Sequence, residues 1–347
     1  EETGTNLAES SEDFGNTSFW SPTSQTIITN VATAPDGTLT ADNIIPASGN
    51  AALRYLYFSV SAYPMSTNTK YTTSIFVKKN GLRYFALQVH DNGSGSGHRA
   101  GFDLDNGTVV TSNNMGSASN HSASIVEFPN GWFRCILTGT TAGSGSTGRT
   151  AFSFSSALDG NASVGGITAD GTNGGYVWGH QVEAGSYVTS YIPTVATEAT
   201  RGADLVKVDG EEFSEFYNPI ESTILVDYTH DITSSQLGAN QRVYRFRAVG
   251  GSDTRIDYVS NSGYNPYIAK DGSAVASISH GQAHVFNGGV NRSAVRVKEN
   301  SFAVSYNGSA VSGNALDTSG AWNPTNTITE LTLGTVSYTH LRAHETS

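Results

Sequence analysis

The segment from Leu82 to His90 carries the side chains best suited to binding chemistry. It alternates in the manner of a strand, with Phe85, Leu87 and Val89 on one face and Tyr84, Ala86, Gln88 and His90 on the other. A tyrosine ring can stack on the apolar face of a pyranose, while amide and imidazole groups bond its hydroxyls. We therefore predict a sugar-binding face at these polar and aromatic positions. The alternative is an ordinary solvated strand face, which is common on antiparallel sheets.

Two further residues join the candidate ligand-binding set. Arg99 follows the glycine-rich segment 91–98, which lacks the phosphate-cradle pattern and is interpreted as a flexible hairpin connection. Trp20 lies near the opening turn, where a core or rim position competes with a sugar platform. Trp132 and Trp178 fall inside strand-like runs and are interpreted as core residues first.

Catalytic patterns are weak in this chain. Gln88-Val89-His90 resembles a tripeptide of jelly-roll alginate lyases, but the arginine-bearing and tyrosine-bearing strands that accompany it in that family are missing. Glycoside hydrolysis needs two facing carboxylates, and no pattern selects a pair. No serine-nucleophile elbow and no zinc-protease motif occurs. We expect no catalysis, and a polysaccharide lyase or glycoside hydrolase ranks third among the functions considered.

Metal chemistry has one candidate segment. Asp103, Asp105 and Asn106 are oxygen ligands of the kind that calcium prefers, but the twelve-residue calcium loop is absent and Asp-Asn-Gly between strands predicts a hairpin turn. We expect no cofactor. A structural calcium site built from scattered carboxylates and carbonyls stays open.

Composition limits fold and partners. The chain has 347 residues, 38 glycines and a net charge of -11. Short alternating runs and tight turns predict an all-β protein made of antiparallel sandwiches. The negative charge disfavours nucleic acid as a partner, because phosphates are repelled. Cys135, the single cysteine, lies in an apolar run and is interpreted as a buried thiol. No run is long enough to predict insertion in a membrane.

A strand, a turn and an extended segment follow one another over residues 175–194, and 200–204 comes next. This stretch reads Trp-Gly-His-Gln-Val-Glu, then Thr-Ser-Tyr-Ile-Pro-Thr, then Thr-Arg-Gly-Ala-Asp, and it resembles the closing motif of a β-sandwich module of bacteriophage tail and tail-fibre proteins. Residues 5–14, 34–42, 71–78, 102–108 and 128–134 resemble further stations of the same family in the same order.

The resemblance implies a carbohydrate-binding-like jelly-roll sandwich over 1–199. Residues 200–335 form the second predicted sandwich, in which Ser301–Gly308 resembles a strand of concanavalin-like and laminin-G-like domains. The implied protein is a non-catalytic, extracellular virion module that binds glycans on a host surface, on a trimeric or otherwise repeated fibre. A spacer or decoration domain without a ligand is the alternative.

The two ends look foreign to this fold. Residues 336–347 resemble the translation of a sequencing adapter, a contaminant of reading frames taken from metagenomes, so we expect a non-native tail there. The first residues lack an initiator methionine, and we expect a fragment at both ends. The tail follows a strand predicted at Leu331–Gly334 and would leave the sheet with an unpaired edge.

Overall fold

The computed structural model describes residues 3–49, 55–58, 63–141, 147–161, 167–202, 206–229, 241–248, 255–260, 266–271, 273–279, 285, 289–311, 316–318 and 328–333. The chain divides into two compact units, an N-terminal unit at Thr3–Gly202 and a C-terminal unit from residue 203 onward. The sequence prediction put this change at 199–200. The predicted tail at 336–347 lies outside the described residues.

The N-terminal unit is built from short strands because β-branched and aromatic residues alternate with polar ones between glycine and asparagine turns. Its strands are β1 Gly4–Asn6, β2 Trp20–Thr23, β3 Gln25–Ala32, β4 Ala41–Pro46, β5 Tyr55–Phe58, β6 Lys70–Asn80, β7 Tyr84–Asp91, β8 Gly97–Asp103, β9 Thr108–Met115, β10 Ser119–Phe128, β11 Trp132–Thr140, β12 Gly148–Ser155, β13 Gly174–Ala184 and β14 Ala199–Arg201. A 3-10 turn at Pro129–Gly131 precedes β11.

These strands form two antiparallel six-stranded sheets and one short pair. The first sheet has the order β10-β11-β6-β13-β4-β3, the second has the order β2-β5-β12-β7-β8-β9, and β1 pairs with β14. The hydrophobic core includes residues from both sheets, among them Ile75, Phe85, Phe102 and Phe152, all with 0 % of their surface exposed. The N-terminal unit is therefore an antiparallel β-sandwich, as predicted.

The alternation predicted for β7 is confirmed. Phe85, Leu87 and Val89 are buried in the core, whereas Gln88 and His90 on the opposite face are partly exposed. The turn after β8 is also confirmed, since the Asp103 carboxylate accepts hydrogen bonds from the backbone N–H groups of Asp105 at 3.0 Å and Asn106 at 3.4 Å.

The closing run of the N-terminal unit consists of side chains with structural roles. Asn6 of β1 donates to the carbonyls of His180 and Ile192 and accepts from the N–H groups of Ala8 and Val182. Gln181 accepts from the N–H of Ile192 at 2.7 Å. These side chains hydrogen-bond the opening strand β1 and the extended segment after β13 to β13 itself. We call this buried hydrogen-bond network around β13 the clasp, because it connects the two ends of the unit.

The C-terminal unit has two antiparallel sheets of its own, with orders β15-β24-β17-β18-β19-β20 and β16-β21-β22-β23. Its elements are β15 Val206–Asp209, α1 Gly210–Phe216, β16 Glu221–Thr229, β17 Gln241–Arg247, β18 Arg255–Ser260, β19 Pro266–Asp271, β20 Ser273–Ser279, β21 Val290–Lys298, β22 Phe302–Tyr306, β23 Leu316–Asp317 and β24 Glu330–Leu333. Strand β24 pairs with β15 on one side and β17 on the other, so the edge expected there is covered.

Candidate functional site

One register row crosses the outer face of the second sheet of the N-terminal unit. Tyr57 on β5 lies opposite Ala151 on β12, Ala151 lies opposite Gln88 on β7, and Gln88 lies opposite Arg99 on β8. Neighbouring strands present such partners on the same face. A ring, a methyl group, an amide and a guanidinium therefore follow one another across four strands.

A second row supplies the remaining polar groups. His90, two residues beyond Gln88 on β7, lies opposite Arg149 on β12. The Arg149 guanidinium lies over the Tyr57 ring, with its carbon 5.5 Å from the ring centroid. We call the set Tyr57, Gln88, His90, Arg99 and Arg149 the outer patch.

Part of the same sheet face is covered. Ala86 and Ala151 on this face pack in one small cluster with Ile167, which has no exposed surface, and Leu158 packs against the cluster. The backbone N–H and the hydroxyl of Ser156 donate to the Thr168 carbonyl at 2.9 Å and 3.1 Å. Ile167 and Leu158 therefore form an apolar wall beside the outer patch.

The structure brings three of the sequence-predicted residues together and separates two. Gln88, His90 and Arg99 share the outer patch. Tyr84 is partly exposed on the same strand, but the Arg83 guanidinium over its ring, 5.0 Å from the centroid, is also paired with Asp103, so Tyr84 belongs to that ion-pair cluster rather than to the outer patch.

The assignment of Trp20 to a ligand site is wrong. The side chain has 0 % exposed surface and packs against Phe14 and Phe58 in the core, with ring centroids 4.9 Å and 5.1 Å away. Its indole Nε1 donates to the Ser10 carbonyl at 3.0 Å. An apolar ring finds more contact inside the sandwich than at its rim, so no face is left for a sugar.

His90 is held neutral and oriented. Burial, and next the charge of Arg149, lower the pKa of His90, while Asp91 partly opposes the shift. The Gln88 amide Nε2 lies 3.4 Å from His90 Nδ1. Because an amide N–H donates, Nδ1 accepts this weak bond and the proton of the neutral ring belongs on Nε2.

The two arginines of the outer patch differ from Arg83 and Arg134 in the same unit. Arg83 donates to Asp103 through Nε at 2.9 Å and a terminal nitrogen at 2.5 Å, which holds the pKa of that carboxyl well below its usual range. Arg134 donates to Ser74 and to the Thr189 carbonyl. Among the described residues, Arg99 and Arg149 have no such partner, and the Nε atom of each is buried without a hydrogen bond.

Sequence reasoning missed Tyr57 and Arg149. Tyr57 lies in a short aromatic run and Arg149 follows a glycine-rich segment, and neither run contains a motif that marks a binding residue. They join Gln88 and His90 only through the strand order β5-β12-β7, which pairs residues almost a hundred positions apart. The only sequence signal for Arg149 was the alternation of residues along Gly148–Ser155, which indicates a strand but not a binding residue.

The other reactive groups that the structure describes are buried or scattered. The Cys135 thiol is fully buried, and burial raises its pKa well above the usual value. In the part of the chain described, no three His, Cys, Asp or Glu side chains converge as a metal site would require. No helix among the described residues is long and apolar enough to cross a membrane.

The C-terminal unit carries an open depression of about 240 Å³ on its four-stranded sheet. It is lined by Thr223, Ala294, Arg296, Ala303, Ser305 and Val311. Small side chains make its floor, and among its lining residues none is aromatic, so it offers less to stack against than the outer patch does.

Comparisons with known proteins give only distant structural neighbours. No protein-family model matches the chain, and no curated protein matches it. Similar solved structures include domains LG4-5 of the mouse laminin alpha1 chain, at 12 % identity and a TM-score of 0.26, covering 82 % of this chain and 79 % of that one. The LG1-3 region of the laminin alpha2 chain has 11 % identity and a TM-score of 0.29, covering 83 % of this chain and 60 % of that one. The all-β class rests on the strands themselves, since these scores are too low to define a shared topology.

Proposed function

We propose that the N-terminal unit is a non-catalytic glycan-binding module and that the outer patch is its binding site. The observation that carries this proposal is the row in which Tyr57, Ala151, Gln88 and Arg99 lie side by side on one face. The partly exposed Tyr57 ring suits the apolar face of a sugar, and the amide, imidazole and guanidinium groups suit its hydroxyls, whereas Ala151 between them is buried under Ile167 and is not a ligand contact.

Binding is favoured over catalysis by the composition of the outer patch. Hydrolysis of a glycosidic bond requires two carboxylates on either side of the bond. Asp91, the acid next in sequence to His90, uses one carboxylate oxygen to accept the N–H groups of Gly93 and Ser94, both at 2.8 Å, and so serves the adjoining turn. A lyase or hydrolase activity therefore ranks below binding.

The biological setting that we propose is the tail or tail fibre of a bacteriophage, outside the host cell. Support comes from the ordered motifs at both ends of the N-terminal unit, which resemble those of tail proteins. Weak contacts at one patch would become useful through repetition on a trimeric fibre, because linked sites raise the effective concentration of the ligand.

A spacer without a ligand is the competing function, and one observation favours it. The motif residues Asn6, Gln181 and Glu183 all serve the buried clasp rather than the outer patch. Sequence resemblance alone therefore supports the architecture of the unit and says less about its ligand.

A glycan array with the full chain, followed by titration of each positive, tests the proposal. Tyr57→Ala should weaken binding about tenfold or more, because the stacking ring is lost. Tyr84→Ala is the matched control: it removes a ring from the same face beyond the covered strip and should leave the affinity within about twofold.

The outcomes separate the three functions. Saturable binding that depends on Tyr57, without new reducing or unsaturated ends, supports the module. New chain ends in the polysaccharide would establish an enzyme instead. A folded protein that binds no glycan would favour the spacer.

A further inference from the structure

The outer patch contains positive charge that the protein itself leaves uncompensated. The whole chain carries 30 acidic against 19 basic residues. Even so, no ion pair joins Arg99 or Arg149 to a carboxylate in the described structure, and neither buried Nε atom has an acceptor. A partly desolvated guanidinium without an anionic partner is unfavourable, so an acceptor that binds its terminal N–H groups would recover free energy at both positions, while the buried Nε atoms are out of reach of a ligand.

Each guanidinium is positioned rather than loosely exposed. Arg149 is stacked over Tyr57, so its guanidinium lies at the Tyr57 end of the register row. Arg99 lies at the other end, beyond Gln88. Two strand spacings and one two-residue step separate the arginines, which places their Cα atoms ~12 Å apart. The Arg149 guanidinium extends over Tyr57 on β5, on the side of β12 away from Arg99, so an oligosaccharide with charged groups on separate units suits the two arginines better than one monosaccharide does.

We infer that the ligand of the outer patch is a polysaccharide with anionic substituents, carboxylate or sulfate, which Arg99 and Arg149 bind on different sugar units. This inference rests on the proposed function and specifies its ligand class. Guanidinium groups suit such anions, because their planar N–H groups donate in pairs to two oxygens of one acceptor. Tyr57 and Gln88 would contact the sugar rings between the two anions.

Nucleic acid also carries anions, but the net charge of the chain makes it a less favourable ligand than a polysaccharide. A net charge of -11 repels a continuous phosphate backbone, while two local guanidinium groups can still bind spaced charges. Single-stranded DNA therefore belongs in the test as a competing ligand.

The experiment measures binding of the full chain to four polymers by biolayer interferometry. Polygalacturonate carries carboxylates, its methyl ester is the neutral match, dextran sulfate carries sulfates, and dextran is its neutral match. At least one anionic polymer should bind about tenfold or more tightly than its neutral match, since a charge-assisted hydrogen bond is stronger than a neutral one. Raising the salt from low to physiological strength should weaken this binding.

Three variants locate the charge effect. Arg99→Gln and Arg149→Gln should each reduce affinity for the anionic polymer about tenfold or more. Arg296→Gln in the C-terminal unit makes the same change of net charge and should leave affinity within about twofold, apart from general screening effects. Circular dichroism checks that every variant is folded.

The results distinguish binding of an anionic polysaccharide from glycan binding in general. Equal, Tyr57-dependent binding of neutral and anionic polymers would overturn the inference and leave the glycan-binding module standing. Absence of binding to all four polymers would overturn the inference, while the glycan array decides the proposed function. An equal loss in Arg296→Gln would move the anion site to the C-terminal unit, and tighter binding of oligothymidine than of any polysaccharide would also overturn the inference. Preference between the carboxylated and sulfated polymers identifies the anion.

Discussion

The Thr189 hydroxyl donates a hydrogen bond of 2.6 Å to the Glu183 carboxylate. The Thr189 N–H and the Gln181 amide donate to the other carboxylate oxygen at 3.0 Å and 2.8 Å. Glu183 is only 3 % exposed, so these donors replace water around a buried acid. Arg134 extends the network by donating to the Thr189 carbonyl at 2.8 Å.

Removal of that hydroxyl should destabilise the clasp. Thr189→Val keeps the shape of the side chain but deprives a buried carboxylate of a donor, which should lower the free energy of unfolding by about 2 kcal/mol. Urea denaturation of the full chain measures it. Thr108→Val, an exposed threonine on β9, is the matched control and should change stability by less than about 0.5 kcal/mol. Equal effects of the two substitutions would show that the network is not required.

His180 should make folding sensitive to acid. Its ring is fully buried near Trp20, with centroids 5.2 Å apart, and neither ring nitrogen has a hydrogen-bond partner among the residues that the structure describes. Burial lowers the pKa of His180 from 6.5 to about 3. The unfolded chain therefore binds a proton below pH 6.5 that the folded protein rejects. The stability present above that pH is lost as the pH falls toward 3.

His180→Leu tests this linkage. The variant should be within about 1 kcal/mol of the parent at pH 7.5, because the volumes are similar. Its advantage should then grow by about 1.4 kcal/mol for each pH unit below 6.5. Asp42, whose pKa burial raises to about 6, has the opposite slope but is present in both proteins and cancels in the difference. Parallel unfolding free energies from pH 7.5 to 4.5 would contradict the prediction.

Truncation of the Trp178 side chain should lower the stability of the fold substantially. It is 4 % exposed, its ring centroid lies 4.5 Å from that of Tyr191, and its indole donates to the Thr40 hydroxyl at 3.0 Å. Trp178→Ala should lower the free energy of unfolding by about 3 to 5 kcal/mol through the cavity that it leaves. Trp178→Phe keeps most of the ring and should cost clearly less in the same denaturation experiment. An unchanged melting temperature in the alanine variant would refute the core assignment.

Short-range sequence patterns correctly predicted the features that depend on neighbouring residues. The period of two in β7 gave the buried Phe85 and Leu87, and the Asp-Asn-Gly run gave the turn after Asp103. Both follow from neighbouring residues, because alternation and turn chemistry act over a few positions.

The outer patch could not be predicted in the same way. Tyr57 and Arg149 join Gln88 only through strand order, and Ala86 is covered only because Ile167 returns to it from a distant segment. Trp20 shows the converse, since an aromatic near a turn can be drawn into the core by partners such as Phe152, 5.6 Å away, that no local pattern reveals. Nonlocal packing decides such positions.

Binding of an anionic glycan should become tighter as the pH falls, through His90. In the free protein, burial and the charge of Arg149 lower the pKa of His90. The anion bound to Arg149 would offset that charge, so the pKa of His90 should be higher in the complex than in the free protein. The complex then takes up a proton that the free protein does not, and affinity should increase from pH 7.5 to 5. Titration of the full chain with the preferred anionic polymer measures the slope. His90→Gln keeps a polar group at this position but cannot titrate, so its affinity should vary less with pH. A wild-type affinity that does not change with pH would mean that the bound anion lies away from His90 and Arg149.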